Sequence, residues 1–408
     1  MPAHERSAPL LEAIEPSMFL KDHRGPLAAG LFGLLVSVLP AAAAAPPAQP
    51  NNGPGGVGDR KLTIVKRAVG RTGASTFVFH AAGAAPAEGR PVAVLLHGWG
   101  ATNPQSYGAW IDHLARNGWL VLFPRFQDVN RTRPVDAVAN AEGALKTAFE
   151  ALAADAEGKP DLGKVALIGH LAGVPLAMDI AADAKAQDLP VPKLVFGVMP
   201  GGIASGPKSR GIVLGDLAKI APQTLLIAMI GDRDARAADL AARRLLREAS
   251  AVPTERKLFM RALSDDHGFP ALTATLAAPA GLDAAFDGAA IKLPADPKDT
   301  KPPPFKWLAD MSLSGEQQTL VAQINNARAD TLDYLAFWKT FDLAATAAFA
   351  GQDATGLKTN PRFGDMERWA DGWPVKRLFV ETPRASPPAA VTPAATAGTV
   401  PAKPAARR

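Results

Sequence analysis

The chain has 408 residues, with 44 Lys and Arg against 39 Asp and Glu and a formal net charge of +5. That length holds one large domain or two medium ones, and an apolar share of 48% supplies a sizeable core. The positive excess is spread along the chain without a dense Lys/Arg block, which argues against a nucleic-acid partner. There is no cysteine, so disulfides and thiolate metal sites are excluded.

Residues 1–45 have the layout of a signal peptide: Lys21, His23 and Arg24, then an apolar run from Pro26 to Leu39, then Ala41 to Ala45 before Pro46. Met18 offers an alternative start that gives a leader of ordinary length. The apolar run falls short of the roughly 20 residues that span a bilayer, so no stable membrane span is expected once the leader is cut. Export to the periplasm or beyond is the expected destination. Residues 46–60, rich in Pro, Asn and Gly, read as a flexible linker.

The folded part is expected over 61–383, with a core over 61–270 and a C-terminal extension over 271–383. It opens with a hairpin, Leu62 to Val69 and Ser75 to His80 about Gly70-Arg71-Thr72-Gly73. Pro91 to Leu96 is a continuous apolar run, the pattern of a strand buried on both faces. A helix over 107–117, a strand over 118–123 and a helix over 134–154 follow. Lys164 to Gly169 then leads into a helix running to about Ala186. Strands over 193–199, 224–230 and 256–262 alternate with a helix over 235–250. Such alternation predicts a mostly parallel sheet with helices on both faces, in which ligands meet the carboxyl ends of strands.

Residues 284–310 read as a long loop. Ser314-Gly315-Glu316-Gln317 reads as a capping box opening a helix to about Ala327. A second helix over 329–349 carries Tyr334, Phe337, Trp338 and Phe341 as a core stripe, and a short strand or turn is expected within 363–379. The Pro/Ala-rich tail 384–408 reads as disordered.

The chemistry-bearing residues fall at strand ends. Gly169-His170-Leu171-Ala172-Gly173 sits between strand and helix, where the pattern Gly-x-Ser-x-Gly turns a nucleophile out of the sheet. Leu171 stands at the serine position, and its side chain has no heteroatom with which to attack a carbonyl. An acid and a histidine follow in order: Asp234, with Asp232 as its rival, and His267 as general base. Oxyanion donors are expected from the amides of Ala172 and Trp99. His170 and Ser264 are the substitute nucleophiles to consider, with His170 expected to point away from the pocket.

These residues carry a resemblance. Leu95-Leu96-His97-Gly98-Trp99-Gly100, Gly169-His170-Leu171-Ala172-Gly173, Gly231-Asp232-Arg233-Asp234 and Ser264-Asp265-Asp266-His267-Gly268 are similar to the motifs of bacterial α/β-hydrolases of the dienelactone-hydrolase, chlorophyllase and polyester-hydrolase-like group. Leu332-Asp333-Tyr334 to Lys339, with Asp371-Gly372, resembles the terminal helix and turn of secreted members. The resemblance implies the α/β-hydrolase fold, ester or other acyl hydrolysis on a serine, a small-molecule ester or acyl partner, no cofactor and no metal. With Leu171 in place of serine, three outcomes stay open: an exported hydrolase-fold protein with lost or very weak turnover, a non-catalytic ligand-binding or scaffold protein using the old acyl pocket, or hydrolysis by another nucleophile. Substrate and oligomeric state are not legible.

Overall fold

The computed structural model describes residues 43–71, 74–206, 209–233, 235–295, 306, 308, 311 and 317–383. The expected signal peptide up to residue 42, Asp234, the first three residues of the expected capping box and the tail 384–408 lie outside the described residues.

Nine strands form one sheet in the order β1-β2-β4-β3-β5-β6-β7-β8-β9. They are β1 (Ile64–Arg71), β2 (Ala74–Ala81), β3 (Arg90–Leu96), β4 (Leu120–Pro124), β5 (Pro160–His170), β6 (Leu194–Val198), β7 (Leu225–Gly231), β8 (Lys257–Ala262) and β9 (Phe379–Glu381). From β4 through β8 every neighbouring pair is parallel. The β1–β2 hairpin and β9 close the two edges with antiparallel pairings. The chain leaves β3 toward β4 and returns to β5 on the other side of β3, so the carboxyl ends of β3 and β5 flank the point where the winding reverses. A crevice for ligands opens at such a point in parallel sheets.

The helices are α1 (Gly108–Arg116), α2 (Ala137–Leu152), α3 (Gly173–Asp183), α4 (Ala235–Glu248), α5 (Gln317–Asn326), α6 (Lys339–Phe349) and α7 (Ala354–Thr359). Strand periodicity divides them between two faces. Phe196 of β6 meets Trp110 of α1 and Phe341 of α6 edge-on, at 6.4 and 5.7 Å between ring centres. The next residue, Gly197, lies against Val174 of α3 on the opposite face. The aromatic stripe expected over 329–349 is core, but its first half, Leu332–Trp338, winds as a π-helix before α6 begins. Helix α7 has no counterpart in the sequence reading.

Two irregular segments are tied to this body by hydrogen bonds. Residues 46–60, expected as a flexible linker, lie along the body as a strap without helix or strand. The Pro47 carbonyl accepts from Tyr334 Oη at 2.6 Å and Thr331 Oγ1 at 2.8 Å, and Asp342 takes the Gly55 N–H at 2.8 Å. His113 meets the Gly56 carbonyl at 2.8 Å and Asp342 at 3.0 Å. The second segment follows β8 and crosses back over the sheet. Asp265 bridges Leu272, the Ala274 carbonyl takes the Arg233 N–H beyond β7, and Asp283 N–H donates to Gln105 before α1.

Asp265 ties this crossing to the C-terminal extension. Its buried carboxylate accepts Lys376 N–H at 2.9 Å, Trp369 Nε1–H at 3.3 Å and His267 N–H at 3.2 Å. Burial alone would raise its pKa, but these donors and the Lys376 charge outweigh it and hold it below the usual carboxylate value. Replacing Asp265 by Ala strands the buried Trp369 Nε1–H, and an unpaired buried donor costs about 1–3 kcal/mol. Asp265→Ala is therefore expected to lose about 1–3 kcal/mol in urea unfolding; an unchanged midpoint would remove Asp265 from this role.

Candidate active site at the elbow

Leu96 at the end of β3 pairs in register with Gly169 of β5. The loop His97-Gly98-Trp99 and the turn His170-Leu171-Ala172 therefore emerge side by side. The turn is sharp. Leu171 has φ +52°, in the left-handed region that costs a non-glycine residue about 1–2 kcal/mol. Its neighbour Gly173 starts α3 so close to β3 that a Cβ there would collide with the Leu96 carbonyl oxygen. The elbow, which a residue without catalytic return could have let relax, keeps its strained form.

Packing offsets that strain. Leu171 is 9% exposed, and burying a leucine side chain contributes about 1.5–3 kcal/mol. A Cβ on Gly98 would stand 3.0 Å from Leu171 Cδ1, so the leucine branch fills the space above the loop expected to supply an oxyanion donor. The Leu171 carbonyl also accepts from Gly201 beyond β6 at 3.2 Å, and its amide donates to Val198 at 3.1 Å.

The structure brings Leu171, Ala172 and the Gly98–Trp99 loop together at the switch point. Ala172 caps α3, and the buried Trp99 ring donates to the Met311 carbonyl at 3.3 Å. The amides on either side of Trp99 are satisfied from within: Gly98 N–H by Tyr107 Oη at 3.0 Å and Gly100 N–H by Gln127 Oε1 at 2.8 Å.

His267 pairs with the C-terminal extension. Its Nε2 meets Asp371 Oδ2 at 2.7 Å in the C-terminal extension, and its ring stacks on Trp373 at 5.5 Å with 14° between planes. Trp373 is itself 60% exposed. Asp371 was legible only as part of a terminal turn, and its pairing with His267 spans 104 residues. Asp232 holds the turn after β8, accepting Ser264 Oγ–H at 2.5 Å and Ser264 N–H at 2.9 Å. Ser264 Oγ also accepts Ala274 N–H at 3.0 Å and is buried, which occupies it structurally rather than as a nucleophile.

A hydrogen-bond chain missed in the sequence runs beneath the elbow. His170 Nε2 lies 2.7 Å from the Leu276 carbonyl and Nδ1 lies 2.8 Å from Tyr107 Oη. A carbonyl only accepts, so Nε2 carries the proton and neutral Nδ1 accepts the Tyr107 hydroxyl proton. Tyr107 Oη in turn accepts Gly98 N–H. The chain thus runs from the loop after β3, through the elbow strand, to the segment crossing from β8. His97 beside it is fully buried between Phe126, at 4.1 Å, and Phe123, at 5.1 Å, with Nδ1 on the Gly98 carbonyl.

Burial pushes the His97 and His170 imidazoles down to about 4, against the raising effect of their carbonyl partners. Burial likewise pushes the Tyr107 phenol far above its usual range. Among the described residues no group of three or more His, Cys, Asp or Glu is placed to hold a metal ion.

Residues 82–229, just over a third of the chain, match the family model described as Chlorophyllase. The match takes in the loop after β3 and the elbow and stops before the region of Asp234 and His267. No curated protein matches the chain. Among solved structures, carboxyl esterase 2 from the mycorrhizal fungus Tuber melanosporum is similar at 15% identity, with 50% of this chain and 79% of that one covered and a TM-score of 0.37. Esterase B from Lactobacillus rhamnosis is similar at 15% identity over 49% and 74%, with a TM-score of 0.35. The α/β hydrolase MGS-M1 from a Medee basin deep-sea metagenome library is similar at 19% identity over 50% and 81%, with a TM-score of 0.38.

The hydrogen-bond chain has a spectroscopic consequence. A free imidazole titrates near 6.5, whereas a value near 4 keeps His170 neutral at pH 5.5. Its contribution to stability is whole above pH 6.5 and is lost as the pH falls through about 4. Nitrogen NMR of the ring is expected to show the neutral Nε2–H tautomer at pH 5.5; a His170 signal titrating above pH 6 contradicts the chain. Strand order and elbow make this a protein of the α/β-hydrolase fold, similar over residues 82–229 to the family described as Chlorophyllase.

Proposed function

We propose that this is an exported descendant of serine ester hydrolases that keeps their scaffold and has lost their turnover. The observation that carries the reading is Leu171 held at φ +52° in an intact elbow. Nucleophilic catalysis needs a nucleophile within hydrogen-bond reach of a base. Leucine supplies no attacking atom, and removing a catalytic serine costs on the order of a million-fold in kcat. The Leu171 branch also stands over Gly98, where a substrate carbonyl would enter. Acyl or ester ligands remain the proposed partner class, but one seated at the tip would have to displace this side chain.

The described histidines support the same reading. His80, His97, His113, His170 and His267 bond respectively to Ala81, Gly98, Gly56 and Asp342, Tyr107 and Leu276, and Asp371. Their ring partners lie within the fold. The leader pattern of residues 1–45 supports export, and among the described residues no helix is long and apolar enough to cross a membrane.

The wild-type protein is expected to stay unlabelled by a fluorophosphonate probe. It is also expected to split short-chain p-nitrophenyl esters no faster than its His267→Ala variant. Labelling, or esterase turnover abolished by His267→Ala, would overturn the proposal.

A further inference from the structure

We infer that leader processing cuts the Ala43–Ala44 peptide bond, making Ala44 the amino terminus of the working protein; this rests on the export reading above. Leader cleavage needs small residues one and three positions before the cut. The sequence satisfies that at three bonds: after Ala43 with Ala41, after Ala44 with Ala42, and after Ala45 with Ala43. Cuts after Ala41 or Ala42 place Leu39 or Pro40 at the third position. The pattern alone does not choose among the three.

The fold does. The Ala44 carbonyl accepts the Phe269 N–H at 2.9 Å, and the Ala45 carbonyl accepts the Ala370 N–H at 2.9 Å. Ala44 packs against the core, while Ala43 is exposed. The backbone at Gly268 approaches the Ala44 carbonyl so closely that a Cβ there would collide with it. A cut after Ala45 removes both carbonyls, and a cut after Ala44 removes the first. Of the three permitted bonds, the one after Ala43 leaves both acceptors on the mature chain. In the hydrolysis itself water adds across the amide: hydroxyl to the Ala43 carbonyl carbon, proton to the Ala44 nitrogen, and the C–N bond breaks.

The retained residues have a task. Phe269 lies two residues past His267, and Ala370 directly precedes Asp371. The two backbone bonds therefore staple the loop that carries His267 to the turn that carries Asp371. Those side chains meet at 2.7 Å.

The test is production of the full-length chain in an exporting bacterial host, with intact-mass measurement and amino-terminal sequencing of exported and retained fractions. An exported protein starting at Ala44 is expected. An exported protein starting at Ala45, Pro46 or elsewhere overturns the inference and leaves export standing. A chain retained inside the cell with its leader uncut overturns the export reading and this inference with it. The stapling role is read separately, from amide hydrogen exchange in leaderless forms beginning at Ala44 and at Pro46. Exchange at Phe269 and Ala370 is expected to be at least about tenfold faster in the Pro46 form; equal exchange overturns that role.

Discussion

The close approach of α3 to β3 at the elbow is the constraint on which the top of this molecule depends. Gly173 leaves no room for a side chain against the Leu96 carbonyl, so the chain must reverse within the residues between β5 and α3. That reversal forces residue 171 into the left-handed region whatever its side chain. In a serine enzyme the strain serves to present a hydroxyl. Here the same backbone presents a hydrocarbon branch, and burial of that branch offsets the strain. The packing of α3 against β3 is by itself enough to hold the elbow.

Around that turn, buried polar groups are paired with one another. Gly98, Tyr107, His170 and Leu276 form one directed chain of donors and acceptors, fully buried at its tyrosine and histidine. Such groups are costly to bury unless paired, and the segment crossing from β8 supplies the last acceptor. That segment also occupies Ser264 and Asp232 with each other. His267 finds its carboxylate in the C-terminal turn, on a part of the surface where Trp373 is exposed.

Much of this was legible in the residues. Continuous apolar runs such as Pro91 to Leu96 mark strands covered on both sides, and Gly-His-Leu-Ala-Gly marks the turn because both glycines are sterically required. What could not be read were contacts without a local period. Residues 263–283 show neither strand nor helix periodicity, so their path over the sheet was invisible, and with it the acceptor for His170. Asp371 is distant from His267 in sequence, and chain order favoured a carboxylate after β7. The strap is the plainest case. Pro, Asn and Gly report which backbone angles are allowed, but not that Pro47, Ala44 and Ala45 carbonyls would find donors. Composition therefore suggested a free linker where the backbone is tied down.

The proposed loss of turnover extends beyond the missing hydroxyl to the want of a base at the elbow. Steady-state and burst hydrolysis of a short-chain p-nitrophenyl ester by Leu171→Ser, set against wild type, tests it most directly. Because His267 Nε2 is engaged by Asp371 and His170 Nδ1 by Tyr107, the new serine should lack a base, and kcat/KM should stay within about tenfold of wild type, a difference of 1.4 kcal/mol or less in transition-state stabilisation. An acyl-enzyme burst, or a rise on the order of a thousandfold or more, would show that the remaining machinery is still aimed at the elbow and would contradict the account.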